Sequence, residues 1–280
     1  MNQQCQGCSH QAACSSQPDQ CQAVAPDSSS YGKRNQIKHV ITVMSGKGGV
    51  GKSSVSAMLA VALQRTGVKV GVIDADITGP SQGKAFGFHH PVVMGNEYGI
   101  VPPVSSNGIR VMSVNFFLPQ EDDPVIWRGP MMGSVLNQFW QETDWGEIDY
   151  MIVDLPPGTS DIPLTIMQTL PVSGAIIVST PQDLVSMVVK KAVKMVQKMK
   201  IPVLGLIENM SWLECDHCGN KMEIFGTSKG EKVAQEMNIP FLGGLPWDIH
   251  LNQMMDQGLI EEYQNPEVNK VVRKILENMK

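Results

Sequence analysis

The segment "MSGKGGVGKSS" at residues 44–54 follows the apolar run "HVITV" and leads into the helical pattern "SSVSAMLAVALQRTG". Glycine supplies no side chain to pack and loses the most backbone entropy on folding, so four glycines directly after a buried strand need another reason. Gly46-Lys47-Gly48-Gly49-Val50-Gly51-Lys52-Ser53 satisfies G-x4-G-K-[ST], with a strand before it and a helix after it as that motif requires. Its glycines let successive N–H groups turn inward around phosphate oxygens, and the following helix adds the positive end of its dipole. ATP is the expected ligand, held by Gly46, Lys47, Gly48, Gly49, Val50, Gly51, Lys52, Ser53 and Ser54. Lys52 is expected at the β- and γ-phosphates and the Ser53 hydroxyl on Mg²⁺.

An ATPase also needs carboxylates near the metal and the attacking water. "VIDAD" places Asp74 and Asp76 at the end of the next apolar run, and "MIVDLPPGTSD" places Asp154 after another. Asp154 fits the Walker B role of holding Mg²⁺, Asp74 supports the metal shell, and Asp76 orients or deprotonates the water. Gly158, in "PPGTSD", lies where a segment that senses the γ-phosphate would approach it.

Outward from the loop, seven short apolar runs alternate with helical patterns: "HVITVMS", "VKVGVIDAD", "IRVMSV", "YMIVDLP", "GAIIVST", "VLGLIEN" and "PFLGGLP". Near-continuous apolar strands separated by helices predict an α/β fold, a mostly parallel sheet of about seven to eight strands with helices on both faces. Ligands of such sheets bind outside the carboxyl ends of the strands, where these motifs fall. In "DLVSMVVKKAVKMVQKMK", Leu184, Met187, Val188, Ala192, Met195, Val196 and Met199 recur at helical spacing and predict a core stripe. The closing "NPEVNKVVRKILENMK" reads as a helix that caps the fold. Residues 1–36, rich in Gln, Ser and Cys, form a largely flexible tail, and residues 37–280 form the P-loop domain.

The formal charge of −5 argues against the basic field that nucleic-acid binding relies on. No run approaches the roughly 18 apolar residues of a membrane span, and the N-terminus is polar, so a cytoplasmic protein without a membrane partner is expected. In that reducing compartment Cys215-x2-Cys218 favours metal or redox chemistry over a structural disulfide. A [4Fe–4S] cluster or a tetrahedral zinc takes four ligands and one such pair supplies two, so a twofold dimer would complete the set. A zinc site and a thiol redox pair remain open on spacing alone. His217, inside the pair, reads as a solvated loop residue. Cys5, Cys8, Cys14 and Cys21 form a second group that suits a cluster, a zinc site or a reactive tail.

The second lysine of the loop carries a resemblance. "GKGGVGKS" is similar to the deviant Walker A motif of MinD-like, or SIMIBI-class, ATPases. That resemblance implies a face-to-face homodimer in which Lys47 reaches the partner's nucleotide, giving a catalytic set of Lys47, Lys52 and Asp76. It also implies that Asn209 lies against the adenine and that Pro246 flanks the base. Within the class, "DADITGPS", "WRGPM", "DLPPGTSD", "STPQD" and "ENMS" followed by Cys215-x2-Cys218 resemble the Mrp/ApbC family of iron–sulfur carrier ATPases. The family implies a homodimer that holds a [4Fe–4S] cluster between its copies and exchanges it with cluster donors and apo-proteins. The tail spacing Cys5-x2-Cys8-x5-Cys14 resembles the cluster motif of the related eukaryotic scaffolds, with Cys21 as a fourth ligand. The alternative is a MinD/ParA-type positioning or partitioning ATPase without a cluster, whose membrane form would use the amphipathic C-terminal helix.

Overall fold

A computed structural model describes residues 32–77, 79–89, 91–118, 129–215 and 217–279. The tail cysteines Cys5, Cys8, Cys14 and Cys21 lie outside the described residues. All seven apolar runs are strands of one parallel sheet: β1 (Gln36–Ser45), β2 (Val70–Asp74), β5 (Arg110–Ser113), β6 (Glu147–Asp154), β7 (Gly174–Ser179), β8 (Val203–Glu214) and β10 (Phe241–Pro246). Their order is β10-β8-β7-β1-β6-β2-β5. A short β3–β4 hairpin (Met94–Asn96, Gly99–Val101) stands apart, and the two-residue β9 (Lys221–Met222) pairs antiparallel with the end of β8.

Helices cover both faces because the strands bury side chains in both directions. Along β1, Ile41 and Val43 face a layer that includes α1 (Lys52–Gln64), α2 (Gln82–Ala85), α7 (Ile249–Gln257) and α8 (Pro266–Asn278). Val40 and Met44 face the opposite layer of α3 (Gly129–Gln141), α4 (Asp161–Thr169), α5 (Asp183–Lys198) and α6 (Gly230–Met237). Every residue of β7 is buried. Each fully buried Ile or Val side chain contributes about 1.5–3 kcal/mol by leaving water.

Two sequence expectations need correction. The buried face of α5 is Val189, Ala192, Val193 and Val196, whereas Met187 is 58% exposed. The expected stripe therefore holds at Ala192 and Val196, with Met195 and Met199 partly buried against the same core, but is rotated at the start of the helix, and the Leu184 side chain lies outside the described residues. The strand "VLGLIEN" does not end at Asn209; β8 runs on to Glu214, which brings Cys215 directly to its end.

The C-terminal segment is a capping helix, as its pattern predicts. Asn265 Oδ1 accepts the Glu267 N–H at 2.9 Å, and Pro266 opens the helix. Val268, Val271, Val272 and Ile275 are buried in the layer shared with α1. The apolar side of this helix is therefore used inside the fold, and among the described residues no helix is long and apolar enough to cross a membrane.

Ile152, at the centre of β6, is 0% exposed and packs in the α1 layer. Ile152→Ala is expected to lower unfolding free energy by about 2–5 kcal/mol, read as a lower denaturant midpoint at unchanged slope.

Candidate functional site

β1 ends at Ser45, and the glycine loop crosses from it to Lys52, the first residue of α1. Gly49 and Gly51 hold φ of +80° and +73°, left-handed values that glycine adopts without strain. At Gly51 a side chain is excluded twice over, since a Cβ there would lie 2.3 Å from Asn209 Nδ2. No side chain caps the start of α1 and no acidic residue stands in its first turn. The unsatisfied N–H groups and the positive dipole end of this 13-residue helix remain directed at the loop, ready for an anion. Ser45 Oγ donates to Lys47 O at 2.9 Å, and the Gly158 N–H donates to Ser45 O at 2.9 Å, which ties the "PPGTSD" segment to the loop.

Parallel register brings the carboxylates together, because Asp154 is the Cα partner of both Asp74 on β2 and Val43 on β1. Lys52 is buried, with Nζ 2.7 Å from Asp154 Oδ1, 3.2 Å from Ser53 Oγ and 3.7 Å from Asp76 Oδ2. Ser56 Oγ donates to Asp154 Oδ1 at 2.8 Å, and Gln82 Nε2 donates to Asp154 Oδ2 at 2.9 Å. Asp74 lies deeper: one oxygen accepts the N–H groups of Ser81 and Gln82 at 2.8 and 2.9 Å, and Ser113 Oγ is 3.3 Å from it. Burial and the neighbouring Asp154 charge push the Asp74 carboxyl up to about 7, against the pull of those N–H groups and Lys52.

The oxygens of Ser53, Asp76 and Asp154 thus converge on one ammonium, a stand-in cation that tests the donor set for Mg²⁺. Hard oxygen donors suit that ion, which binds through one or two carboxylates plus ligand phosphate and water. Among the described residues no three His, Cys, Asp or Glu side chains are grouped to hold a metal ion by themselves. Lys47 lies outside the buried cluster, and its Nζ donates to Gln182 Oε1 at 2.8 Å. Ser54, on the first turn of α1, is half-buried.

β8 connects this site to the downstream cysteines. Asn209 is buried and donates from Nδ2 to Val50 O at 3.0 Å, within the loop itself. Met210 then takes φ +57°, Ser211 Oγ donates to Glu208 O at 2.7 Å, and the register to β10 shifts between Gly244 and Pro246. This is a bulge at the point where the strand passes the nucleotide loop. Past it, Leu213 and Glu214 pair with Met222 and Lys221, the Cys215 N–H donates to Asn220 O at 2.9 Å, and the Gly219 N–H donates to Cys215 O at 2.8 Å. Cys215 is half-buried and Cys218 exposed at the tip of the hairpin, and neither forms a disulfide among the described residues. The hairpin faces the start of α7 across a cleft of about 560 Å³, lined by Cys215, His217, Pro246, Trp247, Asp248 and His250. His217 is exposed.

Sequence reasoning overlooked Ser56 and Gln82. Ser56 had a usable signal, a hydroxyl one helical turn beyond Lys52 amid apolar neighbours. Gln82 had none, because its role depends on how the segment after β2 folds back over Asp154.

A model of the NUBPL iron-transfer P-loop NTPase family, within the ParA group, matches residues 36–280. An iron-sulfur cluster carrier protein of Clostridium perfringens is 47% identical over 275 residues, covering 94% of this chain and 95% of its own. A nucleotide-binding protein from Archaeoglobus fulgidus, solved in complex with ADP and with cobalt found, is 42% identical. It superposes with a TM-score of 0.75, covering 82% of this chain and 90% of its own. The cell division ATPase MinD of Pyrococcus furiosus shares the fold at 20% identity, with a TM-score of 0.63 over 85% of this chain and 98% of its own.

Removing one member of a buried ion pair strands the other. Lys52→Met is expected to destabilise the nucleotide-free protein by about 3–5 kcal/mol, and Lys52→Met/Asp154→Asn by less than the sum of the single changes, measured by urea denaturation. For Asp74 the folded value near 7 stands above the ordinary 3.8, so its stabilising share is complete below about 4 and is lost as pH rises through 7. Stability against pH is therefore expected to slope downward over that window in the wild type, by at most about 1.4 kcal/mol per unit, and to be flatter in Asp74→Asn.

Proposed function

The chain belongs to the NUBPL iron-transfer P-loop NTPase family, and we propose that it is an ATP-hydrolysing carrier that holds a [4Fe–4S] cluster across a homodimer and passes it to apo-proteins. The observation that carries this reading is that one strand serves both sites. Asn209 of β8 touches the nucleotide loop, and Cys215 directly follows the last residue of the same strand, six residues on and at most about 20 Å away at roughly 3.3 Å per residue. The iron-sulfur cluster carrier relative, similar along nearly its whole length, supports the same reading.

In this scheme the triphosphate enters at the uncapped start of α1 and is held by the N–H groups of residues 46–54. Lys52 exchanges its carboxylate partner for the β- and γ-phosphates, where its charge offsets the negative charge that grows as the terminal phosphoryl group departs. Asp154, still held by Ser56 and Gln82, and Ser53 are then the residues that hold Mg²⁺. The ion supplies further charge neutralisation at the phosphate oxygens when bound. Asp76 orients the attacking water and takes its proton as the bond to the β-phosphate oxygen breaks, giving ADP and phosphate. Asp74, engaged by backbone N–H groups, supports the metal shell from behind. Gly158 carries the γ-phosphate contact, Asn209 and Pro246 flank the adenine, and Lys47 acts on the partner copy's nucleotide.

The cluster is cargo. Cys215 and Cys218 from each of two copies supply four thiolates, the number a [4Fe–4S] cluster takes. Their place at a hairpin tip, with Cys218 exposed and Cys215 half-buried, suits a cluster that must be received and released. Residues 1–36 act as a separate cysteine-bearing tail on the domain of residues 37–280, and Cys5, Cys8, Cys14 and Cys21 hold a second cluster. The protein works in the cytoplasm without nucleic acid or membrane partners. A positioning ATPase of MinD/ParA type is the poorer reading, because α8 spends its apolar face inside the fold and the cysteine hairpin would have no use.

Anaerobic reconstitution with iron and sulfide, followed by iron quantitation and Mössbauer spectroscopy, tests the cluster assignment. The wild type is expected to carry one [4Fe–4S] cluster per dimer that the Cys215→Ala/Cys218→Ala variant lacks. Equal iron in both would confine any cluster to the tail and leave a P-loop ATPase with another cargo.

A further inference from the structure

Gln82 is the first residue of α2 and is 0% exposed. It ties three parts of the site together. Its backbone N–H donates to Asp74 Oδ2 at 2.9 Å, while its side-chain Nε2 donates to Asp154 Oδ2 at 2.9 Å and to the main-chain oxygen of Ser53 at 3.0 Å. A carboxylate and a carbonyl oxygen only accept, so the amide must present its NH₂ to them, which fixes the remaining terminal atom as its oxygen. That oxygen, Oε1, is buried and has no hydrogen-bond partner among the described residues. Burying such an acceptor unsatisfied costs about 1–3 kcal/mol, which a sequence serving stability alone would avoid with an apolar side chain of the same shape.

The identity of the missing donor follows from what surrounds the amide. Asp154 and Ser53, the two residues that Nε2 bridges, are those assigned to the divalent cation, Ser53 through its hydroxyl. A hydrated Mg²⁺ keeps several waters, and each of those waters is a hydrogen-bond donor. Resting on the nucleotide-binding reading above, we infer that Gln82 is a positioning residue for the cation: Nε2 holds the Asp154 carboxylate and the Ser53 turn in register, and Oε1 accepts from the cation's water. The arrangement has its main effect once phosphate draws Lys52 away. Asp154 then loses its ammonium partner, and Gln82 with Ser56 keeps its carboxylate aimed where the cation binds.

Residues that hold a metal ligand from behind affect metal affinity by about 10- to 100-fold, and that range is expected here. The test is a Mg²⁺ titration of the full-length protein with a fluorescent, non-hydrolysable ATP analogue, read as nucleotide binding rather than turnover. Gln82→Leu is expected to raise the Mg²⁺ concentration for half-maximal binding by at least about 10-fold while leaving affinity in the presence of chelator unchanged. Gln82→Glu, which sets an acceptor against two acceptors, should lose at least as much and serves if the leucine variant does not fold. A merely structural role would lower the thermal midpoint and weaken binding equally with and without Mg²⁺, and that result overturns the inference. So does a wild-type Mg²⁺ midpoint in the folded variants. If the wild type itself binds the analogue without Mg²⁺ dependence, the cation assignment of the site falls along with the role of Gln82.

Discussion

Three carboxylates and one ammonium meet at the carboxyl edge of the sheet, and the arrangement of the site follows from that imbalance. Asp74 and Asp154 are 0% exposed and Asp76 is 9% exposed, so water does little to screen them. Lys52 can compensate one charge fully and a second in part, by its distances of 2.7 and 3.7 Å to Asp154 and Asp76. The remainder is met by donors: the N–H groups of Ser81 and Gln82 on Asp74, and Ser56 and Gln82 on Asp154. Burial still raises Asp74 to about 7. A site with a deficit of positive charge and an uncapped helix terminus facing it suits a ligand that is an anion bound together with a cation. Either one alone would leave part of the imbalance in place.

The parallel sheet makes this concentration of charge possible. Each strand delivers its last residue to the same edge, so residues far apart in sequence become neighbours without a dedicated scaffold. β8 is the exception that widens the site's reach, because it continues beyond that edge into the hairpin that carries Cys215 and Cys218. The bulge at Met210 lets it do so. Without a local break in register, a strand pinned at Asn209 to the nucleotide loop could not also turn toward β9.

Much of this was legible in the sequence. The loop, its flanking strand and helix, and the seven strands could be read because glycine content and near-continuous apolar runs report directly on local conformation and burial. Where the reading slipped, the signal was ambiguous in physical terms. α5 carries apolar residues on more than one side, and successive helical residues are about 100° apart, so at its start Met187 turns outward and Val189, two positions on, turns inward. The apolar run "VLGLIEN" stops at Asn209, yet the strand continues past it through Met210, which takes a left-handed conformation that its residue type has no local preference for. Gln82 was invisible because its two side-chain acceptors come from α1 and β6, and no periodicity reports on a contact of that kind.

The position of β1 has a further consequence, for the time course of synthesis. β1 is made early and sits at the centre of the sheet, but its hydrogen-bonding neighbours are β6 and β7. Lys52 and Asp154 are 102 residues apart, an interval that a ribosome covers in about 5–20 s at typical elongation rates. Through that interval the apolar strand that leads into the glycine loop has neither edge paired, the condition under which strands associate with other chains. The feature that makes β1 the best protected strand of the finished molecule thus leaves it the longest unprotected in the nascent one, and the nucleotide site cannot assemble until more than half of the chain has emerged.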